Sequence, residues 1–384
     1  MKGSIQKRGK ASWRLKFDLP LGPDGKRRTQ FVTVRGGKKI AQAKLAELLA
    51  SVGKGAFVEP SRLTVAEHVG GRIAVWHAAG TIGNATRERY NTLLKRQVTP
   101  HIGDVILQKL STKDVEAWHG KLRTTGLAPR TVRHAHRLLA KALRDGVRHG
   151  LVSRSVAGRD GQQAPTVVAE KPEIIRADQI GDVVAKLRGS DIFPHAMLAL
   201  FGGLRAGEVL ALKWSSVDFD GKLLVVKESV EEIAGQPLAI KAPKTEAGVR
   251  KVSMPDVVVD ALRDHRRKQL EARLAMGLGR PANDVLVFPA LDGGLTRRTA
   301  LSIGWAKTVA ALGLPRVTYH QLRHSHASML IAAKLDLATI ADRMGHANPS
   351  VTLKIYAHMF EKNDAAAADA INAALGASSV PKTR

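Results

Sequence analysis

The sequence predicts a multidomain α+β protein in three successive parts: a small β-sheet with one helix, an all-helical bundle, and a mainly helical domain with a small antiparallel sheet. Its length of 384 residues exceeds what one small core usually organises. Polarity alternates in strand-like fashion before residue 35, and from Thr64 it repeats with a helical period. Gly53–Pro60 and Ser155–Pro172 have linker-like composition.

The first part contains two alternating segments, Trp13–Phe17 and Gln30–Val34, on either side of the turn-rich stretch Leu21–Lys26. This pattern predicts a basic β-hairpin. Apolar residues of Ile40–Leu49 then fall near one helical face, which predicts a helix covering the sheet.

The second part opens with a Thr64-x-x-Glu67 capping box, and stop signals at Gly80, Pro100 and Gly126 predict four helices. The last helix carries six cations spaced three or four residues apart, on one face: Arg130, Arg133, Arg137, Lys141, Arg144 and Arg148. Spacing alone fits a solvated face as well as a phosphate-binding stripe, and the acid-poor surroundings favour DNA.

The third part begins near Glu173. Short strands are predicted at Lys222–Glu228, Pro237–Ala242 and Val249–Met254, between helical segments. The Ala-rich stretch Asn363–Leu375 predicts a helix whose thin apolar stripe needs a partner surface.

The net charge is +27, and +21 of it lies in the first 169 residues. Such an excess indicates a polyanionic partner, with nucleic acid ahead of a membrane surface. No apolar stretch approaches the roughly 18 residues needed to span a bilayer, and no signal-peptide pattern opens the chain. We therefore expect a soluble, cytoplasmic protein. The absence of cysteine excludes disulfides, thiolate catalysis and cysteine-based zinc sites.

Several residues of the third part suit an anionic target. Arg205 follows a glycine pair at a predicted helix start, and Glu208, three residues on, is placed to hold its guanidinium. His320 and Arg323 are also three apart, so one site can receive an imidazole and a planar fork of donors. An ordinary surface ion pair and a polar helix start are the plain alternatives.

The histidines at 320, 324 and 326 have a competing interpretation as metal ligands. It carries little weight, because a zincin helix needs Glu where this chain has Gln321, and Arg323 between the ligands would repel a divalent cation.

Tyr356 is one of only three tyrosines. It follows Gly345-His346, where one helix ends, and lies two turns into a helix that Asn348-Pro349 begins. Its phenol is a poor nucleophile unless nearby cations favour the anion, for which Arg205, Arg323 and His346 are candidates. A half-buried packing residue is the alternative. Lys244, in a predicted turn, is a candidate proton donor, with Lys241 and Lys251 as rivals that spacing cannot separate.

The ordered set of these motifs resembles the tyrosine recombinase, or phage integrase, family over roughly 173–375. The family's catalytic residues match Arg205, Lys244, His320, Arg323, His346 and Tyr356. The first two parts, by pattern and order, look like the family's arm-site-binding and core-site-binding domains. The implied domains are 1–55, 62–155 and 172–376, with a tail at 377–384.

The resemblance implies that Tyr356 attacks a DNA phosphate to give a 3′-phosphotyrosyl link and a free 5′-hydroxyl. Arg205, Arg323 and His346 would stabilise the transition state without metal, cofactor or ATP. His320 would assist proton transfer, and Lys244 would protonate the leaving oxygen. A later 5′-hydroxyl reseals the strand.

The implied partners are double-stranded attachment sites of a mobile element and three further copies of the chain, since the family acts as a tetramer on two sites. An accessory DNA-bending or directionality factor would be a further partner, in a bacterial nucleoid. Two alternatives remain open. A type IB topoisomerase would share the tyrosine chemistry but not the arm-type segment, and a non-catalytic DNA-binding protein would leave the six-residue set unexplained.

Overall fold

The computed structural model describes residues 3–21, 25–53, 57–168, 173–243, 246–279, 281, 284–356 and 371–373. The chain divides into two compact units, Met1–Ala169 and Glu170–Arg384. In the part of the chain described, no helix is long and apolar enough to cross a membrane. Of the predicted helix Asn363–Leu375, residues 371–373 are helical, and the rest lies outside the described residues.

The first unit begins with a three-stranded antiparallel sheet in the order β1–β2–β3 and one helix. The elements are β1 (Gly3–Gly9), β2 (Ser12–Leu19), β3 (Arg28–Arg35) and α1 (Lys38–Gly53). Trp13 pairs with Val34 and Phe17 with Gln30, so the predicted hairpin is confirmed. Strand β1 was not predicted, because its sequence is polar and exposed and lacks an apolar alternation. Leu15 and Phe17 pack with apolar residues of α1 in a small core.

The rest of the first unit is helical and has its own larger core around Trp118. Its helices are α2 (Val65–Ala78), α3 (Asn84–Leu93), α4 (Thr99–Ile102), α5 (Thr112–Thr124) and α6 (Pro129–Arg148), with a π-helical turn between α3 and α4. The Thr64–Glu67 capping box is confirmed. Residues 84–102 form one continuous helical run, in which the π-helical turn joins α3 to α4. This run ends at Ile102, within the stop signal that begins at Pro100, so the four predicted helical segments are confirmed.

The second unit is mainly helical with two small antiparallel sheets. Its helices are α7 (Ile180–Leu187), α8 (Phe193–Phe201), α9 (Ala206–Leu210), α10 (Asp256–Ala275), α11 (Arg298–Ala311), α12 (Tyr319–Ala332), α13 (Leu337–Met344) and α14 (Pro349–Tyr356). Its strands are β4 (Val217–Asp218), β5 (Leu223–Val226), β6 (Ser229–Glu231), β7 (Ala239–Lys241) and β8 (Arg250–Ser253). The order β4–β5–β8 forms one sheet, and β6 pairs with β7 in another. The predicted α+β organisation is confirmed.

Helix α8 is central to the second unit because residues 196–200 are completely buried and the helix packs on α10 and α12. A second, smaller core joins the far end of α12 to α13 and α14, through Ala327, Ile331, Ile340, Met344 and Tyr356. The two cores fix the ends of α9, α12, α13 and α14 near one another, which is where the candidate residues lie.

Candidate active site

Helix α8 ends at a glycine pair that redirects the chain toward Arg205. Gly203 has a φ of +67°, and a Cβ there would lie 2.6 Å from the His326 ring. A larger residue would therefore be strained and would clash. The turn exposes the Gly203 carbonyl oxygen to Arg323 and places Arg205 at the N-terminus of α9.

The predicted pair of Arg205 and Glu208 is confirmed, with 2.7 Å between Nη1 and Oε1. It is not an ordinary surface pair, because the Glu208 side chain is only 7% exposed and also binds Arg250. Arg205 Nη2 donates to the Gly345 carbonyl oxygen at 3.0 Å. The Arg205 side chain remains 38% exposed, so it is held by hydrogen bonds and is still accessible to a ligand.

His320 and Arg323 both lie in the first turns of α12, as predicted, but their environments differ. His320 is exposed, whereas Arg323 is 3% exposed. Arg323 donates through Nη1 to the Gly203 carbonyl and through Nη2 to the Met344 carbonyl. Burial, and next the positive charge of Arg205, lower the pKa of Arg323 to about 9. It therefore stays charged at neutral pH, in surroundings that screen its charge less than water does.

The three histidines of α12 have separate partners. His326 Nδ1 bonds to the Leu200 carbonyl and its Nε2 accepts from Arg343 Nε at 3.1 Å, so its ring is committed to structure. His324 Nδ1 lies 2.5 Å from the Tyr356 hydroxyl. Only His320 and His324 remain near each other, with ring centroids 5.1 Å apart. This divergence, within the described residues, does not favour the metal interpretation.

Helix α13 ends at Gly345, which adopts the left-handed conformation (φ 61°, ψ 48°) of a glycine C-cap. The next residue, His346, is half-buried, and its Nδ1 bonds to the Thr352 hydroxyl of α14 at 2.7 Å. Burial, and then Arg323 and Arg205, lower the pKa of His346 to about 4, so the ring is neutral at pH 7. The structure thus brings His346 beside both arginines.

Tyr356, the last residue of α14, is fully buried against Ala327, Ile331 and Ile340. Its hydroxyl bonds to His324, a residue that the sequence did not single out for this role. The sequence position of His324, directly after Arg323, does not indicate that it contacts Tyr356. The packing of α14 on α12 decides which of the three histidines reaches the phenol.

Nearby cations are the candidates for favouring the Tyr356 anion, and in this structure burial has the larger effect on the pKa of its phenol. Burial raises the pKa of the phenol, and Arg323 only partly offsets it. Burial, followed by His320 and Arg323, lowers the pKa of His324 to about 4. The proton therefore stays on Tyr356, and the contact is a hydrogen bond between neutral groups.

We expect the His324–Tyr356 bond to be measurable in a double-mutant cycle. Removing the acceptor in His324→Ala strands a buried hydroxyl, and Tyr356→Phe removes that hydroxyl. The two changes should therefore couple by about 1–2 kcal/mol in the free energy of unfolding, measured by urea denaturation of the four proteins. Simple additivity would mean that the bond contributes nothing.

Lys244 lies outside the described residues, and it remains a prediction. Its two rivals are described. Lys241 on β7 forms an ion pair with Glu231, which occupies its ammonium group. Lys251 on β8 is exposed.

The basic face of α6 is present as predicted, with two of its cations engaged by protein groups. Lys141 Nζ lies 3.9 Å from the centre of the Trp76 ring, and Arg148 pairs with Asp145 at 3.3 Å. The other four, Arg130, Arg133, Arg137 and Arg144, form no ion pair with the described residues. After burial, positive charges of Arg89, Arg137, Arg130 and Arg133 lower the pKa of His134, so α3 adds to the same positive surface.

The second unit matches a known protein family. Residues 174–363 match the model of the phage integrase family. A tyrosine recombinase XerC-like protein of Caldanaerobacter subterraneus subsp. tengcongensis is 26% identical over 273 residues, which are 67% of this chain and 70% of that protein.

Two solved structures share the fold. The integrase of transposon Tn1549, in complex with transposon right end DNA, is 20% identical, with a TM-score of 0.67 over 81% of this chain and 100% of that chain. The lambda integrase in a tetramer bound to a Holliday junction is 16% identical, with a TM-score of 0.53 over 90% of this chain and 96% of that chain. The two solved structures show the fold, and the family match and the recombinase relative, together with the ordered motifs of the second unit, show that this chain belongs to the phage integrase family of tyrosine recombinases.

Proposed function

We propose that this site-specific recombinase cuts DNA with Tyr356 and stabilises the transition state with Arg205, Arg323 and His346. One observation carries the proposal. Arg205 and Arg323, more than a hundred positions apart, bond to the consecutive carbonyls of Gly345 and Met344, directly before His346. Side chains from the start of α9 and from α12 thus bind the turn at the end of α13, and two fixed cations of this kind suit a phosphate whose charge grows during attack.

The chemistry balances as a transesterification. A bond forms between the Tyr356 oxygen and the scissile phosphorus, and the bond from phosphorus to the 5′-oxygen breaks. The phenol loses one proton and the departing 5′-oxygen gains one, with His320 and Lys244 as the groups assigned to these transfers. The strand's 3′ end is then held as a phosphotyrosine, and a 5′-hydroxyl reverses the step on a new partner.

In this proposal the Tyr356 hydroxyl has to be released before it can attack. The Tyr356 hydroxyl is buried and protonated, so α14 must shift before the oxygen can reach a phosphate. The imidazoles of His324 and His346 are neutral. An arriving phosphate anion would favour their charged forms and raise their pKa values. The same anion would therefore favour protonation of the two imidazoles. A protonated His324 would no longer accept the Tyr356 hydrogen bond, which would help to release the hydroxyl.

The substrate we propose is a pair of attachment sites joining a mobile element to a bacterial chromosome. The Tn1549 protein is the integrase of a transposon, and the lambda integrase was solved as a tetramer bound to a Holliday junction. By analogy, four copies of this chain would act together, in the cytoplasm of the host and with accessory DNA-bending or directionality proteins where the element encodes them.

The test uses a nicked duplex carrying the attachment site, identified by sequencing the junctions of the element that encodes the chain. The nick lets the short 5′-hydroxyl fragment diffuse away, so the covalent intermediate accumulates. We expect a protein–DNA adduct on a denaturing gel, in EDTA and without ATP. No adduct would support a non-catalytic DNA-binding protein, and loss of the adduct in EDTA would contradict the metal-free scheme.

The unpaired part of the α6 face gives a separate prediction about binding. Replacing Arg133 and Arg137 with glutamine should weaken binding to specific and unrelated DNA alike, and should reduce the slope of log affinity against log salt by about one per residue. Arg148→Gln is the matched control, because Asp145 already engages that charge, and its effect should be smaller. Fluorescence anisotropy over a salt series measures both, and an unchanged slope would exclude this face from the interface.

A further inference from the structure

Arg250, at the start of β8, is a buried cation to which the proposed mechanism gives no role. Its side chain is 6% exposed. Nη2 and Nη1 donate to the two carboxylate oxygens of Glu208 at 2.9 and 3.3 Å, and Nε donates to the Arg343 carbonyl at 2.8 Å. One guanidinium therefore ties β8 to α9 and to the end of α13.

The end of α13 gathers three arginines on three successive carbonyl groups. Arg250 binds the carbonyl of Arg343, Arg323 that of Met344, and Arg205 that of Gly345. Carbonyls at a helix C-terminus lack intrahelical partners and carry partial negative charge, so they suit cations. Two of these arginines, Arg205 and Arg323, are the proposed transition-state groups. Arg250 is the third arginine that binds the same turn.

Gly345 allows this arrangement. A Cβ at position 345 would lie 2.8 Å from Arg250 Nη1 and 3.1 Å from the Ala247 carbonyl oxygen. The turn therefore packs directly on the Arg250 guanidinium and on the backbone of Ala247.

Glu208 is shared between Arg250 and Arg205. Its carboxylate accepts from the Arg205 backbone N–H at 2.9 Å and from Nη1 at 2.7 Å, in addition to both bonds from Arg250. Burial acts to raise the pKa of Glu208, and Arg250 and Arg205 outweigh it, so the pKa lies below its usual value. Without Arg250, the buried carboxylate would have Arg205 as its one remaining ion-pair partner among the described residues.

We propose that Arg250 is a positioning residue for strand cleavage: it anchors Glu208 and the Arg343–His346 turn, and through them sets the guanidiniums of Arg205 and Arg323 against the scissile phosphate. This role rests on the proposed function. In this role Arg250 acts through its protein contacts and not by binding the phosphate. It needs three donors in one rigid plane, which arginine has and lysine lacks.

The test compares each protein on two substrates in the nicked-duplex assay: the ordinary attachment site, and one with a methylphosphonate at the scissile position. The methyl group replaces a charged oxygen, so the reaction depends less on correctly placed guanidiniums. The variants are Arg250→Met and Arg250→Lys, and Arg267→Met on the surface of α10 is the control. The readout is the ratio of adduct-forming rates on the two substrates within one preparation, in which the fraction of folded protein cancels.

We expect Arg250→Met to slow cleavage of the ordinary substrate by about 100-fold and of the methylphosphonate by less than about fivefold, with DNA affinity unchanged. Arg250→Lys should fall between Arg250→Met and wild type, and Arg267→Met should match wild type. Equal losses on both substrates would assign Arg250 a purely structural role and overturn the proposal, as would wild-type rates in Arg250→Met. If wild-type protein forms no adduct with either substrate, the proposed function fails, and this role fails with it.

Discussion

Arg323→Lys is expected to reduce the rate of covalent strand cleavage by about 10²–10³-fold at neutral pH. Lysine cannot span the carbonyls of Gly203 and Met344 with a planar fork and also face a phosphate. A lysine at this position would also lose its proton more easily. Burial already lowers the pKa of Arg323 to about 9, and a lysine in the same place starts from a lower pKa, so part of it would be neutral near pH 7.

The pH dependence separates these two effects. Lower pH protonates the buried lysine, so the relative rate of Arg323→Lys should rise as the pH falls from about 8 to about 6, and wild type should not share this gain because Arg323 stays charged throughout. Single-turnover adduct formation at a series of pH values measures it. A parallel pH profile in the two proteins would mean that geometry alone explains the loss, and a wild-type rate would remove Arg323 from the site.

Tyr356→Phe is expected to abolish the covalent adduct and to leave DNA binding intact. The change removes one oxygen and keeps the ring that packs in the small core of α12, α13 and α14, so the fold should persist. Adduct formation and DNA affinity are measured on the same preparation.

Tyr319→Phe is the matched control. Tyr319 is equally a buried tyrosine of this unit, 3% exposed, and its hydroxyl donates to the His195 carbonyl at 2.6 Å. Its loss should cost about 1–2 kcal/mol of stability and leave the adduct intact. An adduct that survives Tyr356→Phe and disappears in Tyr319→Phe would reverse the assignment.

Local patterns in the sequence predicted much of the fold and several contacts. The Thr64–Glu67 capping box, the hairpin of Trp13–Phe17 with Gln30–Val34 and the Arg205–Glu208 pair are all confirmed. Each of these features depends on residues close in sequence or on strand alternation, so a single sequence is enough to predict it. The end of α13 at Gly345 is confirmed for the same reason, because only the local C-cap signal was needed.

Contacts between distant elements were not predictable. Nothing in Val249–Met254 distinguishes Arg250 from its neighbour Lys251, yet strand alternation buries the first beside Glu208 and exposes the second. The choice of His324 over His320 and His326 as partner of Tyr356 depends on the packing of α14 on α12. The pKa of the phenol also depends on that packing, because burial raises it and Arg323 only partly offsets the rise.

The identity of the nucleophile is the central claim, and mass spectrometry of the trapped adduct tests it most directly. Wild-type protein is incubated with the nicked attachment site, the adduct is digested with nuclease and trypsin, and the residue bearing the residual 3′-nucleotide phosphate is located by fragmentation. We predict that the label falls on Tyr356, in the tryptic peptide 355–362. A label on Tyr319, on Tyr90 or on any serine or histidine would contradict the account.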